Sequence, residues 1–288
     1  MLLKPIDEII IEINSNLEDI GRKIISLQIK DGRVDLFNLY REKFFMEIDA
    51  PSQHQPRWHQ WGIVTHTRKF LEMYDNEVQE NLHKWNKYEM VHAKLAEEID
   101  GIAKEKLLYI GMLFHDIGKF QKNYIEKANY KVIFGFNNHE IFSQKIIHNE
   151  LYPLLFNHYG LTTNQIAYIG ICAKYHFELG FVRDEAKKMK EGYDLKFVHS
   201  GIFKKMVLGR IEKFEEYSLE VGLLFLADSY AKTDISSLDR TDDEILKELS
   251  EKRLNKKLLF AVKQRSINIE VSKVYFDIID KMQRGVNR

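Results

Sequence analysis

The stretch Leu107–Lys119, LLYIGMLFHDIGK, decides the fold. The run that precedes His115 is apolar on every side, which is typical of a helix buried in a protein interior. His115 and Asp116 follow this run at once. Because burying an unpaired carboxylate costs several kcal/mol, we expect something positive beside Asp116. The sequence therefore predicts a buried helix that ends in a polar functional group, with Gly118 well suited to stopping the helix.

The rest of the chain also favours helices over strands. Apolar residues recur at three- and four-residue spacing, and only 4 prolines occur in 288 residues. We therefore predict an all-α fold, a helical bundle with additional N- and C-terminal helices. A helical extension is predicted over 1–48, a core over 49–235 and a C-terminal helical segment that packs on the core over 236–288. Within the core, further apolar helices are expected over 141–156, 165–175 and 218–231, and the charged segment 183–196 is expected to be exposed or a lid.

The amino-acid composition excludes several classes of protein. The 43 basic residues balance the 43 acidic residues, so no overall field draws the chain to nucleic acid or to anionic lipid. A single cysteine, Cys172, excludes an internal disulfide framework and a thiolate-rich zinc site. No apolar stretch approaches the roughly 20 residues that span a bilayer. We expect a soluble, cytoplasmic protein without a membrane partner.

Several polar residues stand where the pattern predicts an interior. Asp228 follows the apolar run of VGLLFLADSYAK, and neither Asp228 nor Asp116 is expected to have an Arg or Lys on the same apolar face. His66, His139 and His176 each lie at the edge of an apolar helix. Imidazole nitrogen and carboxylate oxygen together suit Zn, Fe, Mn, Co or Ni better than Ca. The two carboxylates therefore indicate a shared cation.

Each of these residues also has a structural interpretation. A lone histidine on a helix is more often a hydrogen-bonded core or surface residue than a ligand. Asp228 could be a buried salt-bridge partner, and Asp116 could cap a helix or pair with Lys119. We favour the metal site because the structural interpretation needs several independent coincidences on separate helices. Five further histidines keep the structural interpretation: His83, His92, His148, His158 and His199.

The ordered set of these side chains resembles the HD superfamily of metal-dependent phosphohydrolases. The resemblance spans about residues 54 to 232 and is carried by His66, His115-Asp116 in HDIGK, His139, His176 and Asp228 in LADSYAK. The stretch 57–67, RWHQWGIVTHT, is similar to the HD domain that accompanies bacterial tRNA nucleotidyltransferases. The polymerising activity is not carried over, because the chain has no Gly-Ser followed by paired acidic residues.

The resemblance implies a role for each matching residue. One or two divalent ions are implied, drawn from Mn, Fe, Ni, Co, Zn and Mg. Asp116 would bridge to a second ion, and Lys119 would contact a phosphate oxygen, which makes these two the implied catalytic residues. His59 is an outer-shell or substrate residue, or else a surface residue. The implied ligands are His66, His115, Asp116 and Asp228 for the first ion, and His139 and His176 for the second.

The implied activity is hydrolysis of a phosphate mono- or diester by attack of a metal-bound hydroxide. The substrate would be a phosphorylated small molecule or a nucleotide. One alternative is a non-catalytic protein that senses a nucleotide through the same site. Another is a helical module associated with RNA, which has little support because neither net charge nor an aromatic and basic alternation marks a strand-binding surface.

Overall fold

The computed structural model describes most of the chain in detail. The described residues are 2–27, 45–51, 54, 59–121, 124–128, 131–136, 138–188, 195–233 and 258–285. The stretch 236–257 of the predicted C-terminal segment lies outside these residues.

Helices make up nearly all of the described secondary structure. Short 3-10 turns cover Ile117–Gln121 and Glu215–Tyr217, and π-helical turns cover Tyr74–Val78 and Leu154–His158. The strands are β1 (Glu98–Ile99), β2 (Ile102–Ala103), β3 (Tyr124–Ala128) and β4 (Lys131–Gly135). The α-helices are α1 (Ile6–Ser15), α2 (Leu17–Leu27), α3 (Ile63–Met73), α4 (Gln79–Lys84), α5 (Tyr88–Leu95), α6 (Lys104–Phe114), α7 (His139–His148), α8 (Thr163–Tyr175), α9 (Glu178–Lys188), α10 (Leu195–Val198), α11 (Gly201–Ile211), α12 (Ser218–Ala231) and α13 (Leu258–Gln283).

The all-α prediction is confirmed, with the strands as a minor addition. Strands β1 and β2 form one antiparallel hairpin, and β3 and β4 form another in which Tyr124 pairs with Gly135. The sequence analysis predicted neither hairpin. Among the described residues, no helix combines the length and the apolar character that crossing a membrane requires.

The chain divides into two compact units. The domain boundaries predicted at 48 and 235 stay predictions. The first unit comprises Met1–Lys69 and Glu98–Lys174, and the second comprises Phe70–Glu97 and Tyr175–Arg288. In the first unit, α1 packs on α6, and α2 packs on the 3-10 turn Ile117–Gln121. The N-terminal helices bury the apolar side of their sequence pattern, which includes Ile9, Ile13, Leu17, Ile20 and Ile24.

Helix α6 is buried as the sequence predicts, but its end has another cause. Gly118 lies in the 3-10 turn that follows the helix and is not among the glycines with positive φ. A Cβ on Gly118 would lie 2.1 Å from the carbonyl oxygen of His139 and 2.6 Å from the amide nitrogen of Ser143. The glycine is therefore required by the close approach of α7, rather than by the backbone conformation of a helix stop.

The expected helix over 141–156 is interrupted. Helix α7 ends at His148, and a π-helical turn covers Leu154–His158. The two later predictions agree closely with α8 and α12. Helix α12 is buried from Leu219 to Ala231, which explains its long apolar run.

The second unit is organised around α12, which packs against α9 and α13. The prediction that 183–196 is exposed is wrong at Arg183, whereas Glu185, Leu195 and Lys196 are exposed. Val182 and Arg183 are buried in α9, and the Arg183 guanidinium donates a hydrogen bond of 2.8 Å to Asn268 Oδ1 on α13. Arg183 therefore stabilises the packing of α9 against α13, although it stands in a charged run of the sequence.

Candidate metal centre

Helix α3 positions His66 one turn from its start. Asp49 holds that start, because its Oδ1 accepts a hydrogen bond of 3.0 Å from the Thr65 amide and its Oδ2 accepts one from the Thr65 hydroxyl. Gly62 allows this approach, since a Cβ there would lie 1.9 Å from the Asp49 carbonyl oxygen. The His66 imidazole is fully buried as a result.

His115 caps the end of α6 and presents one ring nitrogen to His66. Its Nδ1 lies 2.7 Å from the Met112 carbonyl oxygen. A carbonyl can only accept, so Nδ1 carries the proton and, in the neutral ring, Nε2 carries a lone pair. The two Nε2 atoms of His115 and His66 lie 3.4 Å apart. This backbone anchoring of the remote nitrogen is common among metal-bound histidines.

Asp116 occupies the centre of the first unit's polar cluster. Its Oδ2 lies 3.2 Å from His115 Nε2, 3.5 Å from His66 Nε2 and 2.7 Å from Lys119 Nζ. Its Oδ1 lies 3.2 Å from His139 Nε2. Burial by itself would raise the pKa of Asp116, but the neighbouring His115 and Lys119 hold that pKa well below its usual value. Asp116 is therefore an ionised, buried carboxylate.

His139 enters the cluster as the first residue of α7. Its Nδ1 donates a hydrogen bond of 2.8 Å to the Phe136 carbonyl, which leaves Nε2 directed at Asp116. The preceding Asn138 has a φ of 61°, a left-handed conformation that asparagine tolerates well. The chain therefore turns sharply into α7 and brings the imidazole inward.

Ser143 joins α7 to the turn that carries the aspartate. Its hydroxyl donates a hydrogen bond of 2.7 Å to the His115 carbonyl and accepts one of 2.9 Å from the Gly118 amide. Both backbone groups flank Asp116 in the sequence. The position of Asp116 relative to His139 is thus fixed by backbone contacts as well as by side chains.

Both candidate carboxylates have a lysine partner, so the expectation of no basic neighbour is wrong. Lys119 Nζ lies 2.7 Å from Asp116 Oδ2, and Lys232 Nζ lies 2.8 Å from Asp228 Oδ2. Each aspartate is therefore an ion-pair partner, as the structural interpretation predicts. Each of these lysine contacts uses Oδ2, and in Asp116 the Oδ1 atom faces His139.

Four of the six predicted ligands lie in the first unit, and all of these but half-buried His139 are buried. They are His66, His115, Asp116 and His139. Their donors are imidazole nitrogens and carboxylate oxygens, which fit a divalent transition metal. The other two predicted ligands, His176 and Asp228, are buried in the second unit.

Two further histidines belong to the cluster of the first unit. His59 is only 5% exposed, which excludes the surface interpretation. Its ring stacks on that of His54 with centroids 3.8 Å apart and meets that of His66 edge-on at 4.5 Å. Burial and the charge of Lys119 hold the pKa of His54 well below its usual value. Sequence analysis missed His54, whose one signal is its place in the proline-flanked stretch APSQHQP.

The family comparison agrees with this geometry. A family model described as HD domain matches residues 89–233, half of the chain. The protein therefore belongs to the HD domain family, and its His/Asp groups could hold divalent metal ions. No curated protein matches the chain. The narrower similarity to the HD domain of tRNA nucleotidyltransferases stays a prediction.

The matched segment begins after His66 and includes His92. In the structure His92 Nε2 lies 2.8 Å from Gln79 Oε1, and its ring stacks on Tyr88 with centroids 4.1 Å apart. His66 instead contacts His115 and Asp116. Of the two histidines, His66 and not His92 therefore contacts the His-Asp pair.

Proposed function

We propose that the protein is a metal-dependent phosphohydrolase that cleaves a phosphate mono- or diester, with a nucleotide or a related phosphoester as substrate. The observation that carries this proposal is the environment of Asp116. An ionised carboxylate is buried among His66, His115 and His139, two of which have a proton-bearing nitrogen anchored on a backbone carbonyl. When both rings are neutral, this arrangement directs lone pairs, rather than protons, toward the carboxylate side of the cluster.

The proposed ligands divide between two ions. As the family implies, His66, His115 and Asp228 would hold one ion, while His139 and His176 would hold the second, with Asp116 serving both. When bound, such ions lower the pKa of a coordinated water and stabilise charge on phosphate oxygens. His115 and His139 need no reorientation for this, because the Met112 and Phe136 carbonyls already fix their rings.

Lys119 is the proposed phosphate contact. Its ammonium group lies beside Asp116 and is only 4% exposed. A buried ammonium retains a strong attraction for anionic oxygen because little water screens it. Arrival of a phosphate would place a second anion beside Lys119, next to the candidate ligands.

The cytoplasmic location stays a prediction from the single cysteine.

The test combines metal analysis with turnover on simple phosphoesters. Protein purified without chelator should contain one or two divalent ions, and it should hydrolyse p-nitrophenyl phosphate, bis(p-nitrophenyl) phosphate or nucleotides after loading with Mn²⁺, Fe²⁺, Co²⁺, Ni²⁺, Zn²⁺ or Mg²⁺. Asp280→Asn, which alters a buried ion pair in the second unit, is the control for indirect loss of activity. Metal-loaded protein that binds nucleotides without any hydrolysis would instead establish the sensor alternative.

A further inference from the structure

His54 is held in one orientation and in one neutral tautomer. The imidazole is fully buried, and its Nδ1 lies 3.1 Å from the Trp61 carbonyl oxygen. Because the carbonyl can only accept, Nδ1 must be the protonated nitrogen. The ring also stacks on His59 and meets Phe136 edge-on with centroids 6.3 Å apart. Its remaining nitrogen, Nε2, is thus a lone pair aimed in a fixed direction.

That lone pair is directed at the ammonium group of Lys119. His54 Nε2 lies 2.9 Å from Lys119 Nζ, and Asp116 Oδ2 lies 2.7 Å from the same atom. An ammonium group has three N-H donors arranged tetrahedrally. Within the described chain these are the two hydrogen-bond acceptors of Lys119, and they fix the direction of the third N-H.

The second acceptor changes what Lys119 can do. Paired with Asp116 alone, the ammonium group could rotate about the ion pair and swing on its flexible stem. With His54 as a further acceptor, both the position of Nζ and its rotation are determined. Fixing a donor before substrate arrives removes an ordering cost that would otherwise reduce binding and rate.

We propose that His54 is a positioning residue, which orients Lys119 so that its third N-H donates to a non-bridging phosphate oxygen of the substrate. This inference rests on the proposed function in so far as the ligand is a phosphate. It assigns His54 no contact with substrate and no part in proton transfer. The role needs only an uncharged acceptor at the place of Nε2.

Two replacements separate this role from simple packing. His54→Phe keeps a ring for the stack but removes both nitrogens, while His54→Gln retains a side-chain oxygen that can accept from Lys119. We expect His54→Phe to bind inorganic phosphate about tenfold more weakly, as for one lost hydrogen bond to a charged group, and His54→Gln to recover part of the loss. His83→Phe, at a histidine of the second unit that stacks on Tyr88 with centroids 3.8 Å apart, is the matched control. Titration calorimetry on metal-loaded protein measures the affinities, and metal analysis should show unchanged content.

A double-mutant cycle decides whether His54 acts through Lys119. Lys119→Met should reduce phosphate affinity and the kcat/KM for p-nitrophenyl phosphate, and adding His54→Phe to it should cause no further loss. Additive losses would overturn the proposal, as would metal loss in His54→Phe or an equal effect of His83→Phe. If the wild type binds phosphate but shows no turnover, the proposed hydrolase fails, and the affinity cycle still decides the role of His54.

Discussion

The Nε2 atoms of His66 and His115 lie 3.4 Å apart in a fully buried setting. His115 has its proton on Nδ1, where the Met112 carbonyl accepts it, so its Nε2 faces His66 with a lone pair when the ring is neutral. Nitrogens that approach one another in this way need a proton or a cation between them. With Asp116 Oδ2 within 3.5 Å of each, the pair has the chemistry of a divalent ion site.

Replacing Asp116 by Ala should abolish metal binding and turnover while the fold is retained. Even outer-shell partners of metal ligands cost about 10- to 100-fold when they are removed, so loss of the central carboxylate should exceed about 100-fold in kcat/KM. Metal analysis and turnover on p-nitrophenyl phosphate measure the effect. Asp280→Asn, which lies in a different ion pair, should retain both properties. Full metal content and a normal rate in Asp116→Ala would refute the site.

Replacing His139 and His176 together should remove one ion of two. These two residues are the proposed ligands of the second ion, whereas His66 and His115 are proposed ligands of the first. Metal content should fall from about two ions to about one, and hydrolysis should fall sharply because both ions act on the same phosphate. His148→Asn changes the last residue of α7 and serves as the control. An unchanged ion count and rate in the double variant would mean a single-ion site.

Gly118→Ala should destabilise the protein and weaken metal binding. The new Cβ would meet backbone atoms of His139 and Ser143, which cannot move without shifting α7. Overpacking of this kind costs about 1–3 kcal/mol, and thermal denaturation with metal titration measures both effects. Gly209→Ala is the matched control, because nothing lies within 4 Å of a Cβ there. That variant, inside α11, should gain about 0.5–1 kcal/mol. Equal melting temperatures for the two variants would contradict the close approach at Gly118.

The ion pair of Lys87 and Asp280 should make stability depend on pH. Lys87 Nζ lies 2.7 Å from Asp280 Oδ2, and this hydrogen bond is the main reason that the pKa of Asp280 is lowered. A lowered pKa stabilises the fold above the unfolded value of roughly 3.9 and loses that contribution as the pH falls through the folded value. The free energy of unfolding of the wild type should therefore exceed that of Asp280→Asn at pH 7. This difference in unfolding free energy should shrink toward zero once the pH falls below the folded pKa of Asp280. Urea titrations at pH 7 and at such a low pH measure the difference.

The sequence predicts the candidate ligands because their signal is local. Asp116 and Asp228 follow apolar runs within a few residues, so their burial can be inferred without knowing what packs against them. The lysine partners were also within reach of sequence reasoning. Lys119 and Lys232 stand three and four residues after their aspartates, the spacings at which side chains meet on a helix or a tight turn.

Other parts of the cluster depend on contacts distant in the sequence. His54 becomes significant only because its Nε2 meets Lys119, 65 residues later. Gly118 resembles a helix stop by its position, and the true constraint is the carbonyl of His139. The hairpin of β3 and β4 was not predicted, because strands of 5 residues give a weak alternating pattern in a sequence where helical spacing dominates. Contacts distant in the sequence decide the first two of these features, and the periodicity of apolar residues does not reveal such contacts.

The two ends of the β3–β4 hairpin lie side by side, since Tyr124 pairs with Gly135. Its length therefore does not enter the spacing between Asp116 and His139, which the Ser143 bridges set independently. The two ligands on either side of the hairpin are therefore held in register by one serine hydroxyl, and not by the length of chain that separates them.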